Sequence, residues 1–292
     1  MNEKTDNKMS RLGLVLEGGG MRGIYTAGVL DEFLENGITV DGLVGVSAGI
    51  LHGISYISEQ VGRNVRYCIK YRGDKRFMSL QSLVKTGNLC ETEFCYHEIP
   101  DKLYPFDYEK FKENAEKVEV YSCATNLETG KAEYIRIYDV KDQIEAVRAS
   151  ASLPLVSKEV EYDGMKLLDG GTADSIPVDF MRSAGFDRNI VILTRPGGYQ
   201  KGKDRTMPVM KRMYRKYPEY LQAAANRKDM YNETLEHIAA YEKAGEVLVI
   251  RPSRDLKVGR TEKNVDNLKR MYKLGRFDAR NQMEEILAYV KG

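Results

Sequence analysis

The chain has 292 residues, with 45 Lys and Arg against 43 Asp and Glu, so its formal net charge is +2. With 42% hydrophobic and 30% charged residues it has the composition of a folded globular protein, which excludes a disordered or fibrous chain. No run of 18 or more apolar residues is present, which excludes a membrane-spanning helix, and the polar opening MNEKTDNKMS lacks the apolar stretch of a secretory signal. Cys68, Cys90, Cys95 and Cys123 show no CxxC spacing, so reduced thiols and a cytoplasmic location are expected.

Residues 1–10 read as a polar tail. Leu12–Leu16 is a short apolar run ending at Gly18-Gly19-Gly20, a buried strand entering a tight turn. Residues 23–36 place Ile24, Ala27, Val29, Leu30, Phe33 and Leu34 near helical spacing, with Gly37 as C-cap. A second strand, Leu43–Val46, runs into a helix that starts at Ser47. Strand–helix–strand–helix within sixty residues predicts a parallel α/β sheet. Residues 61–117 read only as helices and loops. Val118–Ala124 and Ala132–Tyr138 form a hairpin around Asn126–Gly130. A helix through Ile144, Val147 and Ala151, capped by Asp139 or Asp142, is stopped at Pro154. A second hairpin turns at Asp163-Gly164, and Ile190–Thr194 and Val247–Ile250 are twin buried strands, each followed by Arg-Pro. The expected organisation is a core over 11–200 completed by a strand at 246–252, a basic helical insertion at 201–245 and a helical extension at 253–292.

Charge is unevenly spread. Residues 201–292 carry 21 basic and 13 acidic side chains, +8, which leaves 24 and 30, or −6, in residues 1–200. Seven basic residues meet one acid between 201 and 216. Lys211–Tyr220 interleaves charge with Met and Tyr, a pattern that suits either an interfacial helix on an anionic membrane or a solvated helix packing its Met and Tyr inward. No motif supports nucleic acid binding.

Three motifs carry chemistry. Gly45-Val46-Ser47-Ala48-Gly49 is a GxSxG turn, which lifts a serine above a sheet at the positive end of a helix. Gly18-Gly19-Gly20-Met21-Arg22-Gly23 lets several N–H groups converge on one anion. The same loop satisfies GxGxxG, but a dinucleotide site wants an acid closing the next strand, and Asp41 precedes that strand. Asp169-Gly170-Gly171 sets a carboxylate on a glycine hinge. A Ser–Asp–His order could be written as Ser47, Asp169 and His237, but His237 falls in the polar helical insertion. His52 falls about 140° around its helix from Ser47 and is expected to point away, and His97 lies in the unassigned segment.

GGGMRG, then GVSAG, then DGG, with Arg148–Pro154 (RASASLP) ahead of the last, resembles the patatin-like phospholipase family over roughly residues 11–195. The resemblance implies a three-layer α/β/α fold with a mostly parallel central sheet and a hydrolase of lipid-like carboxylic esters. It further implies Ser47 as nucleophile, Asp169 as base, and an oxyanion hole from Gly18, Gly19, Gly20 and Met21. Arg22, Gly23, Gly45, Gly49, Gly170 and Gly171 support the motifs, with Arg22 anchoring the loop. No metal or cofactor is implied. The expected partners are a lipid ester and, transiently, an anionic membrane surface at the cytoplasmic face. Two other readings stay open: a small-ester or thioester hydrolase on the same dyad, and a dinucleotide-binding or non-catalytic protein using the glycine loop.

Overall fold

The computed structural model describes residues 10–292; the remainder of the expected polar tail lies outside them. Eight strands form one sheet: β1 (Leu12–Leu16), β2 (Gly42–Val46), β3 (Glu119–Asn126), β4 (Ala132–Arg136), β5 (Val160–Tyr162), β6 (Met165–Asp169), β7 (Arg188–Ile192) and β8 (Val247–Ile250). The path across the sheet is β5-β6-β3-β2-β1-β7-β8, with β4 paired to β3 off that path. The stretch β3-β2-β1-β7-β8 is parallel, whereas β4, β5 and β6 pair antiparallel.

Side-chain alternation builds the three layers. Leu14, Leu16, Leu43, Ile190, Ile192, Leu248 and Ile250 enter one buried cluster, and Val15, Val44, Val46, Val191, Val247 and Val249 enter another. Parallel strands buried on both faces need helices on both sides. The first face is covered by α1 (Ile24–Glu35), α2 (Ala48–Ile57), α3 (Arg63–Tyr71) and α5 (Tyr108–Ala115), and the second by α7 (Val178–Ser183) and α9 (Pro218–Lys243). Short α4 (Leu80–Thr86) precedes a π-type helical segment, Phe94–Leu103, and α6 (Ile144–Ser150) follows the first hairpin. The C-terminal helices α10 (Val265–Asn281) and α11 (Met283–Lys291) join the first layer. There α10 lies backbone to backbone on α1: a Cβ on Gly275 would stand 2.1 Å from the Tyr25 carbonyl oxygen, and one on Gly28 would stand 2.3 Å from that of Tyr272.

Local chemistry explains the differences from the sequence reading. Strand β7 ends at Ile192 rather than Thr194, because the Thr194 N–H turns out of the ladder to the buried Glu17 carboxylate. Neither Asp139 nor Asp142 caps α6; Gln143 stands at that position, and Asp139 accepts from the N–H groups of Lys141 and Asp142 in the turn before it. Met210, on α8 (Met207–Met213), and Tyr214, Tyr217 and Tyr220 pack inward with Leu127 and Leu168. Val209 and Met213 remain about half exposed beside Lys211, Arg212 and Arg215. No helix among the described residues is long and apolar enough to cross a membrane.

The sheet also positions the site. On β3, β2 pairs with residues 119–123 and β6 with residues 124–126, while β4 overlaps both at 121–125. A strand has two edges, so β2 and β6 share the edge opposite β4. One runs parallel and the other antiparallel to β3, so their C-terminal ends meet head to head. Val46 is opposite Cys123 and Asp169 is opposite Ala124.

Candidate active site

Ser47 sits between β2 and α2 with φ 55° and ψ −122°, a region that suits glycine and strains any other residue. The two glycines of the motif make this elbow sterically feasible. A Cβ on Gly45 would stand 2.4 Å from the Ile50 nitrogen, and one on Gly49 would stand 2.4 Å from the Leu16 carbonyl oxygen. The helix therefore folds tightly back over β1 and aims its N-terminal dipole at the serine.

Asp169 closes β6 and is buried. Its Oδ1 accepts from the Gly171 N–H at 2.9 Å, and its carbonyl accepts from Thr125 Oγ1 at 2.9 Å. Oδ2 is buried without a partner of good hydrogen-bond geometry. Burial pushes the carboxyl above the ordinary aspartate range; the Ser47 hydroxyl, the Arg227 charge, the Gly171 N–H and the Arg260 charge pull against that rise. The desolvated Asp169 carboxyl thus lies beside the Ser47 hydroxyl. The segment 148–154 clamps both: Ser150 Oγ accepts the Ser47 N–H at 2.8 Å, and the Ser152 carbonyl accepts the Asp169 N–H at 2.8 Å.

The glycine loop reaches the same point. A Cβ on Gly18 would stand 3.2 Å from Ser47 Cβ, and Gly20 adopts φ +56° against the Arg260 carbonyl. Among the described residues the N–H groups of Gly18, Gly19 and Gly20 make no hydrogen bond and are free for a ligand. Met21 departs from expectation: its N–H donates to the Arg260 carbonyl at 2.9 Å, which removes it from the donor set. Arg22 also departs. It is buried, makes no side-chain hydrogen bond among the described residues, and lines a cavity instead of anchoring the loop. Gly23 packs against Ala48 and His52, and Gly170 against the Cys123 carbonyl.

Two cavities meet at Ser47. One, of about 120 Å³, is mostly apolar, with Met21, Leu51, Phe77, Met78, Leu89 and Leu153 in its wall. The other, of about 30 Å³, is polar and holds Asp169 with five cationic side chains. Sequence reasoning missed four of these cations, Arg195, Lys201, Arg227 and Arg260; the only hint was the basic excess after residue 200. The histidines separate cleanly. His237 hydrogen-bonds Asp179 at 2.8 Å on the exposed face of α9, and lines neither cavity. His52 does not point wholly away: it lines the apolar cavity, with its pKa pushed down to about 4 by burial and Nδ1 unpartnered. Asp41 accepts the Leu12 N–H at 2.7 Å, at the start of β1 and so at the end of the sheet opposite the glycine loop, where no ribose on that loop reaches it. Among the described residues, no three His, Cys, Asp or Glu side chains gather in a way that could hold a metal ion.

Fold and site together define a three-layer α/β/α protein with a strained serine facing a buried aspartate. The chain belongs to the patatin-like phospholipase family, whose profile matches residues 14–182. A second profile, described as a domain of unknown function (DUF6363), matches residues 217–291. The chain is 30% identical over 189 residues to the uncharacterized protein YjjU of Escherichia coli (strain K12), covering 64% of this chain and 52% of that one. It is 30% identical over 183 residues to lysophospholipase nte1 of Aspergillus niger, covering 60% and 11% respectively. It is also 30% identical over 179 residues to lysophospholipase NTE1 of Saccharomyces cerevisiae, covering 60% and 10%. Among solved structures, VipD from Legionella pneumophila superposes with a TM-score of 0.46 at 12% identity, covering 94% of this chain and 67% of that one. The chain spans about half the length of YjjU and about a tenth of the two lysophospholipases.

Proposed function

We propose that the protein hydrolyses carboxylic esters of lipids, as a lysophospholipase or phospholipase A, with Ser47 as nucleophile and Asp169 as its base. The observation that carries this reading is the buried, unpartnered Asp169 Oδ2 beside a serine held on a strained elbow. A serine hydroxyl needs a base within reach, and a carboxyl whose pKa is raised is a better one than an ordinary aspartate. Asp169 takes the hydroxyl proton as Oγ bonds to the carbonyl carbon. The carbonyl oxygen turns anionic against the free N–H groups of Gly18, Gly19 and Gly20, each such donor contributing about 3–4 kcal/mol in comparable sites. The ester C–O bond then breaks and the alcohol leaves with the proton from Asp169. Water attacks the acyl-serine, gives its proton to Asp169, and Oγ departs as that proton returns to it, leaving a fatty acid and free enzyme.

The apolar cavity at Ser47 suits an acyl chain, and the lysophospholipase relatives support a lipid substrate. The catalytic core in this reading is 11–200 with the strand at 246–252, in the cytoplasm. Contact with an anionic membrane is assigned to exposed Val209 and Met213 among Lys211, Arg212 and Arg215. Fatty acid release from lysophosphatidylcholine, set beside a chain-length series of p-nitrophenyl esters, tests the function. Activity should rise with chain length and fall at least about a thousandfold in Ser47→Ala. Turnover of short esters alone would replace this reading with a small-ester hydrolase, and an active Ser47→Ala would overturn the site.

A further inference from the structure

The polar cavity beside Ser47 concentrates positive charge beyond what the chemistry of ester hydrolysis needs. Arg22 comes from the glycine loop, Arg195 from the segment after β7, Lys201 from the following loop, Arg227 from α9, and Arg260 from the loop after β8. None of the five forms an ion pair among the described residues. Among the described residues two carboxylates line the cavity against these five cations. Asp169 faces Ser47, and Glu17 spends Oε1 on the Tyr231 hydroxyl (2.7 Å) and Oε2 on Thr194. The Nε atoms of Arg22 and Arg195 are buried with no acceptor. Arg227 Nε is fixed on the Gly171 carbonyl, so its guanidinium is held in place next to the site.

Arg22 is buried, Arg195, Lys201 and Arg227 are half-buried, and Arg260 is exposed at the rim. Cations clustered without ion-pair partners are costly to a fold, the more so where they are desolvated. The strain shows in the titration of the group: burial, then Arg227 and Arg260, bring the Lys201 ammonium down to about 7, and burial with Arg195 brings Arg22 down to about 10. A bound anion of high charge removes that cost, and guanidinium groups converging from several segments match phosphate oxygens. The cavity opens outward into a second space of about 550 Å³ that shares Tyr199, Lys201, Arg227 and Arg260 and adds Lys203, Arg205, Lys211 and Lys228 against Asp204 and Asp229. Ser47 borders the apolar cavity on one side and the basic cavity on the other. An ester whose carbonyl is at Ser47 with its acyl chain in the apolar cavity therefore has its alcohol half directed at the basic one.

We propose that the basic cavity is a phosphate site for the alcohol half of the substrate, so that the preferred esters are acyl derivatives of phosphorylated alcohols without a cationic headgroup. This rests on the hydrolase reading of Ser47. A choline-type ammonium carried beyond the phosphate falls into the outer space, where the excess of basic side chains repels it. Four of the five cations lie beyond the matched residues 14–182, which makes this preference a property of the chain's C-terminal third.

The test compares lysophosphatidate, lysophosphatidylcholine and monoacylglycerol of one acyl chain, each dilute in neutral-detergent micelles. The proposal expects kcat/KM for lysophosphatidate to exceed the other two by at least about tenfold. In Lys201→Gln/Arg260→Gln that ratio should collapse by a similar factor, chiefly through KM. Equal ratios in wild type and variant overturn the proposal. Calorimetry on Ser47→Ala protein, with glycerol 3-phosphate and inorganic phosphate as probes, reads the cavity without turnover. Glycerol 3-phosphate should bind, and at least about tenfold more weakly once Lys201 and Arg260 are replaced. If inorganic phosphate binds equally well while lysophosphatidate has no kinetic advantage, the cavity holds a free anion and the proposal falls. If none of the three esters is hydrolysed, the hydrolase reading falls and takes the substrate assignment with it, while retained glycerol 3-phosphate binding identifies that as the step that failed.

Discussion

The strain at Ser47 makes a prediction about stability that separates the backbone from the hydroxyl. At φ 55° and ψ −122° a residue with a Cβ stores about 1–3 kcal/mol, which glycine does not. Ser47→Ala and Ser47→Gly lose the same hydroxyl, so the difference between them isolates the backbone. Glycine's greater freedom in the unfolded chain opposes the gain by about 0.5–1 kcal/mol. The net expectation is that Ser47→Gly is about 1 kcal/mol more stable than Ser47→Ala, or about 2–4 °C in Tm for a chain of this size. Both variants should be inactive. Paired thermal and urea unfolding curves give the answer. A glycine variant no more stable than the alanine variant would show that the elbow is relaxed, and the account of how Ser47 is presented would be wrong.

Four further expectations follow from the site and its frame. Asp169→Asn removes the base and should lower kcat about 10²–10⁴-fold while leaving the fold intact. Because burial raises the Asp169 pKa, kcat/KM of the wild type should fall on the acid side as pH drops through a value above the ordinary aspartate figure of 3.8. The same shift sets the sign for stability. The folded protein favours the protonated carboxyl, so wild-type stability is fully present below the unfolded pKa and declines as pH rises through the folded one. Asp169→Asn should therefore be more stable than wild type at neutral pH, with the gain fading in acid; a loss at neutral pH would contradict the desolvation argument. At the crossing of α1 and α10, Gly275→Ala drives a methyl into the Tyr25 carbonyl at 2.1 Å and should destabilise by about 1–3 kcal/mol, seen as a lowered urea midpoint. An unchanged midpoint would mean that the C-terminal helix is not held against α1 as described.

The parts of this molecule that were legible in the sequence are those written in local pattern. Short apolar runs locate β1 and β2, Asp163-Gly164 locates the β5–β6 turn with both residues at positive φ, and Ser47 and Asp169 stand in compact motifs. What was not legible depends on partners distant in the chain. No periodicity shows that β2 and β6 share one edge of β3, though that is what brings Ser47 to Asp169. The five cations of the basic cavity lie at positions 22, 195, 201, 227 and 260, with no spacing to link them. The family resemblance implies Met21 as a donor, and only the arrival of the Arg260 carbonyl from the far end of the chain takes its N–H away. His52 was misjudged on helix rotation alone, since the cavity wall wraps further around α2 than one ideal helix face suggests.

The central claim is that Ser47, activated by Asp169, forms a covalent bond to the substrate's acyl carbon. Trapping with a fluorophosphonate, followed by intact mass and peptide mapping, tests it directly. One adduct per chain on Ser47 is expected, absent in Ser47→Ala and formed at least about a hundredfold more slowly in Asp169→Asn. Labelling of Ser47→Ala at the wild-type rate, or an adduct on any other residue, would contradict the account.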